Sequence, residues 1–164
     1  MNTRKAEITD IDDISKIYGI CFPNELNHKL WIESSFKSYP RGVYYVIEYE
    51  GVISGYILWC VKNGFRQSTI VELEQIAVNP QDNGKGIGRK LIDQSFELFK
   101  GHVLNFGHAV GAVMVTTSEG NYAENLYKST LDVTRAALLE GYGSGNEIIL
   151  YNKSVQPTPS AALD

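Results

Sequence analysis

Long hydrophobic runs are missing from this sequence. No stretch approaches the ~18–20 apolar residues that a membrane-spanning helix needs, and the opening MNTRKAEITD lacks the apolar centre of a secretory signal. The expectation is a cytoplasmic protein without a membrane partner. Cysteine is scarce. Cys21 and Cys60 lie far apart in apolar surroundings and read as reduced core residues rather than a disulfide. The three histidines, His28, His102 and His108, have no metal-ligand spacing with one another or with the cysteines, so no metal is expected. A positive surplus is also absent. The balance of 15 basic and 19 acidic residues gives a net charge of −4, which argues against a nucleic-acid partner held by a broad basic face.

What is present suits a globular domain. The chain has 164 residues, 43% of them hydrophobic and 21% charged, enough for one domain with a full core. Its ten tyrosines outnumber its six phenylalanines. They fit ordinary strands, and they would also fit a polar-tolerant cleft.

Residues 4–9 alternate weakly and read as a first strand. TDIDD then opens a helix, with Thr9 or Asp10 as its cap and Ile11, Ile14, Ile17 and Cys21 at helical spacing. Pro23 ends it, and a second helix is expected over 27–38. GVYYVIEY (42–49) and VISGYILWCVK (52–62) are β-like runs joined at Glu50-Gly51, a hairpin signal. A third strand is expected over 70–78. The helix that follows carries Leu91, Ile92, Phe96, Phe99, Val103 and Phe106 on one face, with Gly101 placed to bend or end it. A strand at 111–117, a short helix in NYAENLYKST and a last strand pair over 133–140 and 146–153 complete the chain. One domain is expected over residues 1–153, with residues 154–164 as a polar, proline-bearing, disordered tail.

The chemistry concentrates in VELEQIAVNPQDNGKGIGRKLID. Strand, glycine turn and helix together hold an anion, because the first N–H groups of a helix lack intrahelical acceptors and its dipole favours negative charge there. Gly84, Gly86 and Gly88 let the backbone approach a phosphate, and Lys85, Arg89 and Lys90 add positive charge. A loop that merely turns the chain is the competing reading. A P-loop is excluded because Gly-x4-Gly-Lys-Ser/Thr is absent. The dinucleotide fingerprint is excluded because Arg89 stands where a third glycine is needed.

Asn83-Gly84-Lys85-Gly86-Ile87-Gly88 resembles motif A of the GNAT superfamily of N-acetyltransferases, with Asn83 in place of the usual Arg or Gln. The order of the remaining elements follows that family to about residue 153. The resemblance implies an α/β (α+β) fold with a mixed, mostly antiparallel central sheet of about 6–7 strands and about four helices. It implies acetyl-CoA as cosubstrate and a primary amine as acceptor, either a small molecule or a peptide N-terminus. The acetyl group would move by direct attack in a ternary complex. Ile76, Ala77 and Val78 would pair with the pantetheine amides, and the loop from Asn83 to Arg89 would hold the diphosphate. Asn121 would touch the pantetheine arm, although the family's usual position falls at Gly120. Tyr127, in AENLYK, occupies the place of the family's general acid.

Acetyl transfer also needs the acceptor amine deprotonated. Glu72 and Glu74 share one strand face by the period of two and are the candidate bases, with a water as a third option. Two carboxylates on one face would raise the pKa of one of them. If both simply face solvent, neither has this role. CFPNELN and GYGSGNEIILYNKS resemble the branch that acetylates protein N-termini, with Tyr142 as the matching substrate-contacting tyrosine. Gly143, Val115 and Leu131-Asp132 depart from that branch. A non-catalytic acyl-CoA-binding sensor or interaction module is the alternative function. A homodimer through sheet edges is an option by analogy with the family.

Overall fold

The computed structural model describes residues 1–156. Its elements are β1 (Asn2–Lys5), α1 (Ile11–Cys21), α2 (His28–Phe36), β2 (Gly42–Tyr49), β3 (Val52–Val61), β4 (Ser68–Val78), α3 (Ile87–Asn105), β5 (Ala109–Ser118), α4 (Ala123–Leu131), β6 (Thr134–Tyr142) and β7 (Gly145–Asn152). The strand order is β1-β2-β3-β4-β5-β7-β6. The pairs β1–β2, β2–β3, β5–β7 and β6–β7 are antiparallel. The expected α/β class, with a mostly antiparallel sheet and four helices, is what forms. The described residues pack as two compact units, one of residues 1–60 and 73–95, the other of residues 61–72 and 96–156.

In the first unit, β2 and β3 read in sequence as near-continuous apolar runs because both faces are covered. Tyr44, Val46, Tyr56 and Leu58 pack in one cluster with Ile14, Ile17 and Tyr18 of α1 and Ile32 of α2. Trp59, fully buried, donates its indole N–H to Ser95 Oγ of α3 at 2.8 Å. Each large side chain so buried contributes roughly 1.5–3 kcal/mol. The β2–β3 turn is the expected hairpin. Glu50 and Gly51 both take positive φ, 51° and 80°, which matches the right-handed twist of the flanking strands.

The first strand forms earlier than expected, at Asn2–Lys5, because Ala6 to Asp10 leave the sheet for a 3-10 turn at Ile8–Asp10. Asp10 does not cap α1 with its side chain. Its carboxylate instead accepts from the Glu7 amide at 2.7 Å and from Arg4, also at 2.7 Å, tying β1 to the turn. Arg4 holds the Asp10 carboxyl below its ordinary range. α1 stops at Cys21 because Phe22, which precedes Pro23, is steered away from helical backbone.

In the second unit, the α3 stripe of Phe96, Phe99 and Val103 is buried, as the spacing predicts. Gly101 neither ends nor breaks the helix, which runs on to Asn105. Phe106 lies past the helix end and is exposed, so it is not part of the stripe. Asp132 adopts the left-handed conformation that a glycine often supplies after a helix, φ 53°, while Asn152 Nδ2 donates to the orphan carbonyl of Leu131 at 3.1 Å. β6 is exposed along its whole length. Of the expected tail, Val155 N–H still donates to Gly111 O at 3.1 Å, and residues 157–164 lie outside the described residues. Among the described residues, no helix is long and apolar enough to cross a membrane.

Candidate active site

The glycine loop is prepared by a short Asx-capped turn. Asn79 accepts the Gln81 amide on its side chain, and Asn83 N–H closes on Pro80 O at 3.2 Å. Asp82 then anchors the loop sideways, accepting from Ser54 Oγ of β3 at 2.8 Å and from Lys85 Nζ at 2.7 Å. Lys85 holds the Asp82 carboxyl below its usual range, with Ser54 adding to the effect. The Lys85 ammonium also sits over the Tyr49 ring at 4.7 Å. That lysine is thus an anchor of the loop, a role its place between two glycines does not announce.

Gly84 and Gly86 both take positive φ, 80° and 75°, and a Cβ at either would meet no atom within 4 Å. Their conformation, not crowding, demands glycine. Gly88 differs. It lies in the first turn of α3 with ordinary helical backbone. The first intrahelical bond runs from Lys90 N–H to Gly86 O at 3.1 Å. Among the described residues, the amides of Gly84, Lys85, Gly86, Ile87 and Gly88 therefore donate to no partner. Five consecutive unpaired N–H groups at the start of a 19-residue helix are a donor array of the kind that suits an anion.

β4 carries the next candidates. Of Ile76, Ala77 and Val78, Ala77 is buried, and Val78 O accepts from the Cys21 thiol at 3.4 Å. Both cysteines are reduced, Cys60 buried and Cys21 half-buried. Glu74, also on β4, is exposed and takes part in no ion pair among the described residues. Glu72 is in the other unit and in another state: it is buried, with Lys62 Nζ 2.9 Å from its carboxylate. The two glutamates are thus not an equivalent pair. One charge is committed to a lysine and the other is available.

Tyr127 sits in α4, 6% exposed, and its hydroxyl has no hydrogen-bond partner among the described residues. Burial, with a smaller contribution from Tyr122, pushes its pKa up to about 12. A phenol so placed stays protonated at neutral pH. Asn121 supports the start of α4. Its side-chain oxygen accepts from Ala123 N–H at the start of α4, and its amide donates to Thr117 Oγ1, each at 3.0 Å. Tyr142, at the end of β6, is 62% exposed.

The sequence reading missed a further group in the first unit. The Tyr56 hydroxyl, the Thr3 hydroxyl and the carbonyl oxygen of Gln75 are buried without partners among the described residues, while the Tyr44 hydroxyl lies beside the Ser35 side chain. Tyr18 donates to Glu25 on the loop between α1 and α2. An unmet buried polar group costs roughly 1–3 kcal/mol, so three in one unit call for an explanation. The excess of tyrosine was the available signal, but strand periodicity reports burial and says nothing of where a hydroxyl points. Among the described residues, no cluster of three or more potential metal ligands occurs.

Comparison with known proteins follows this geometry. The model of the acetyltransferase (GNAT) family matches residues 11–131. A protein named N-alpha-acetyltransferase from Sulfurisphaera tokodaii is 30% identical over 154 residues, 90% of this chain and 89% of the relative. Among solved structures, a ribosomal-protein-alanine N-acetyltransferase from Brucella melitensis superposes with a TM-score of 0.71 at 21% identity, covering 93% of this chain and 99% of its own. An aminoglycoside 6'-N-acetyltransferase complexed with coenzyme A gives 0.75 at 13% identity, covering 97% and 99%. The extent of the family match and the 30% relative agree with the unpaired amides before α3: the chain belongs to the acetyltransferase (GNAT) family and is an acyltransferase.

Proposed function

We propose that residues 1–153 act as one catalytic domain that moves an acetyl group from acetyl-CoA to a primary amine, by direct attack in a ternary complex. The observation that carries this reading is the run of five unpaired amides from Gly84 to Gly88, an array suited to the diphosphate of a coenzyme A. The fit is chemical as well as geometric. The donors are backbone groups at a positive helix end, and Gly84 and Gly86 leave open space where a side chain would stand. Asn83 and Arg89 flank this cradle, and Ile76 to Val78 offer strand backbone to the pantetheine amides.

Attack on a thioester needs a free amine lone pair and a proton for the departing thiolate. Glu74 is the base in this account, acting directly or through a water. It is exposed and unpaired, whereas Glu72 is held by Lys62. Tyr127 is the acid, since burial keeps its phenol protonated at neutral pH. Asn121 shapes the entry to α4 and meets the pantetheine arm from there, and Tyr142 contacts the acceptor. The acceptor is a small amine or a peptide N-terminus, and the name of the Sulfurisphaera relative supports the second. A cytoplasmic location suits both the acetyl-CoA and the reduced cysteines.

The test is release of coenzyme A thiol from acetyl-CoA in the presence of peptides, polyamines, aminoglycosides and amino acids. Release that depends on one acceptor class supports the reading. Coenzyme binding with no release above hydrolysis would instead identify a non-catalytic acyl-CoA-binding module, the reading favoured by the commitment of Glu72 to Lys62.

A further inference from the structure

Ser54 is the residue of β3 that the β2–β3 ladder passes over. The pairing steps from Ile47 with Gly55 to Glu48 with Ile53, so Ser54 sits in a bulge. A bulge re-aims the side chain it carries. Here both polar ends of Ser54, a residue 1% exposed, reach the turn that precedes the glycine loop. Its carbonyl accepts from Asn79 N–H at 2.7 Å, and its hydroxyl donates to the Asp82 carboxylate at 2.8 Å. Both ends of that turn are thus clipped to one buried point of the sheet.

The clip fixes a carboxylate two positions before the first of the unpaired amides. An anion bound at those amides gains nothing from a negative charge there. Nor does the anchoring need it, since a neutral asparagine would accept the Ser54 bond equally well. What the charge does is hold Lys85. One carboxylate oxygen of Asp82 accepts from Ser54, and the other lies 2.7 Å from Lys85 Nζ. The Tyr49 ring, 4.7 Å from the same ammonium, and the Glu50 carboxylate at the hairpin tip draw it the same way. Lys85 stands within the run of amides, yet its charge is neutralised where it sits.

We propose that Asp82 is a positioning residue that limits the loop's hold on coenzyme A. By pairing with Lys85 it keeps that ammonium from the diphosphate, and so hastens departure of the coenzyme after transfer. This rests on the reading of residues 84–88 as the coenzyme site and adds its regulation. The amides give the site its shape, and the restrained lysine keeps it from binding too tightly. Affinity differences among variants of one interface lie mostly in the dissociation rate. Product release limits turnover in many enzymes, so a charge that weakens binding at this loop acts on release.

The experiment measures binding and dissociation of coenzyme A, pantetheine and inorganic pyrophosphate on the full chain. Asp82→Asn keeps an acceptor for Ser54 and frees Lys85. Coenzyme A should then bind about tenfold more tightly, through slower dissociation, with pantetheine unchanged within about twofold. A residue that merely braced the loop would give a loss, not a gain. The gain should shrink as salt is raised. It should also fall to within about twofold when Asp82→Asn is made in a Lys85→Met background, because the effect runs through that ammonium. Coenzyme A binding that is unchanged or weaker in Asp82→Asn, or a full gain without Lys85, overturns the inference. If pyrophosphate binds the parent, and Asp82→Asn more tightly, while coenzyme A binds neither, the coenzyme reading falls and the restraint on the loop stands. Binding of neither probe overturns both.

Discussion

Tyr127 and Glu74 make the residue-scale claims most open to attack. The Tyr127 hydroxyl, kept as the phenol by burial and without a partner among the described residues, is free to donate a hydrogen bond to a thiolate as it leaves. Tyr127→Phe should therefore lower turnover by roughly 10²-fold, the lower range for general acid catalysis, with coenzyme affinity unchanged. Unaltered turnover would remove the acid from Tyr127. The two glutamates should separate cleanly. Glu74→Gln is expected to slow turnover with little effect on unfolding. Lys62→Met leaves the buried Glu72 carboxylate without its cation and should cost about 1–3 kcal/mol of stability, read by urea denaturation. If Glu72→Gln proves the catalytic lesion and Glu74→Gln does not, the assignment of the base is reversed. The sequence placed both glutamates on one strand. It could not show that Lys62, ten positions earlier on the chain, holds one of them, because cross-chain pairing depends on register that local patterns do not encode.

At the scale of elements, α4 is fixed to β6 by a charge cluster. The Arg135 guanidinium grips Glu124 in two parallel bonds, 2.7 and 2.9 Å, and Lys128 adds a third contact at 2.7 Å. Arg135 first, and Lys128 second, hold the Glu124 carboxyl at about 2, against an ordinary 4.5. A folded-state value below the unfolded one contributes stability above about pH 4.5, lost as pH falls towards about 2. Thermal unfolding of the parent chain and of Arg135→Met should thus differ most above pH 4.5 and converge in acid. A difference that ignores pH would show that the cluster is electrostatically idle. Helix and strand identities were legible because apolar spacing and glycine turns specify them locally. What the sequence did not disclose were the ends: the Asp10 side chain reverses the expected cap by pairing with Arg4, and α3 runs through Gly101 because its buried stripe continues to Val103. The glycine spacing marked the loop as the place where backbone amides lose their partners, but it did not show that Lys85 pairs with Asp82.

For the molecule as a whole, the element order that suggested the family is the order that forms, and the family match covers most of it. The acceptor was not legible, since no contiguous motif in the sequence specifies which amine is bound. A coenzyme that binds only the folded chain should stabilise all of it. At a hundredfold excess over its Kd the gain is about 2.7 kcal/mol, or a rise in Tm of roughly 5–10 °C for a chain of this size.

The most direct test compares calorimetric titrations of the parent chain and of Gly86→Asp with coenzyme A and with pantetheine, which lacks the diphosphate. If the amides of residues 84–88 grip that diphosphate, the variant keeps its fold and its response to pantetheine but loses at least about 100-fold in affinity for coenzyme A, as a carboxylate in the cradle must repel the phosphates. Coenzyme A binding with equal affinity to the parent and to a folded Gly86→Asp variant would contradict the account.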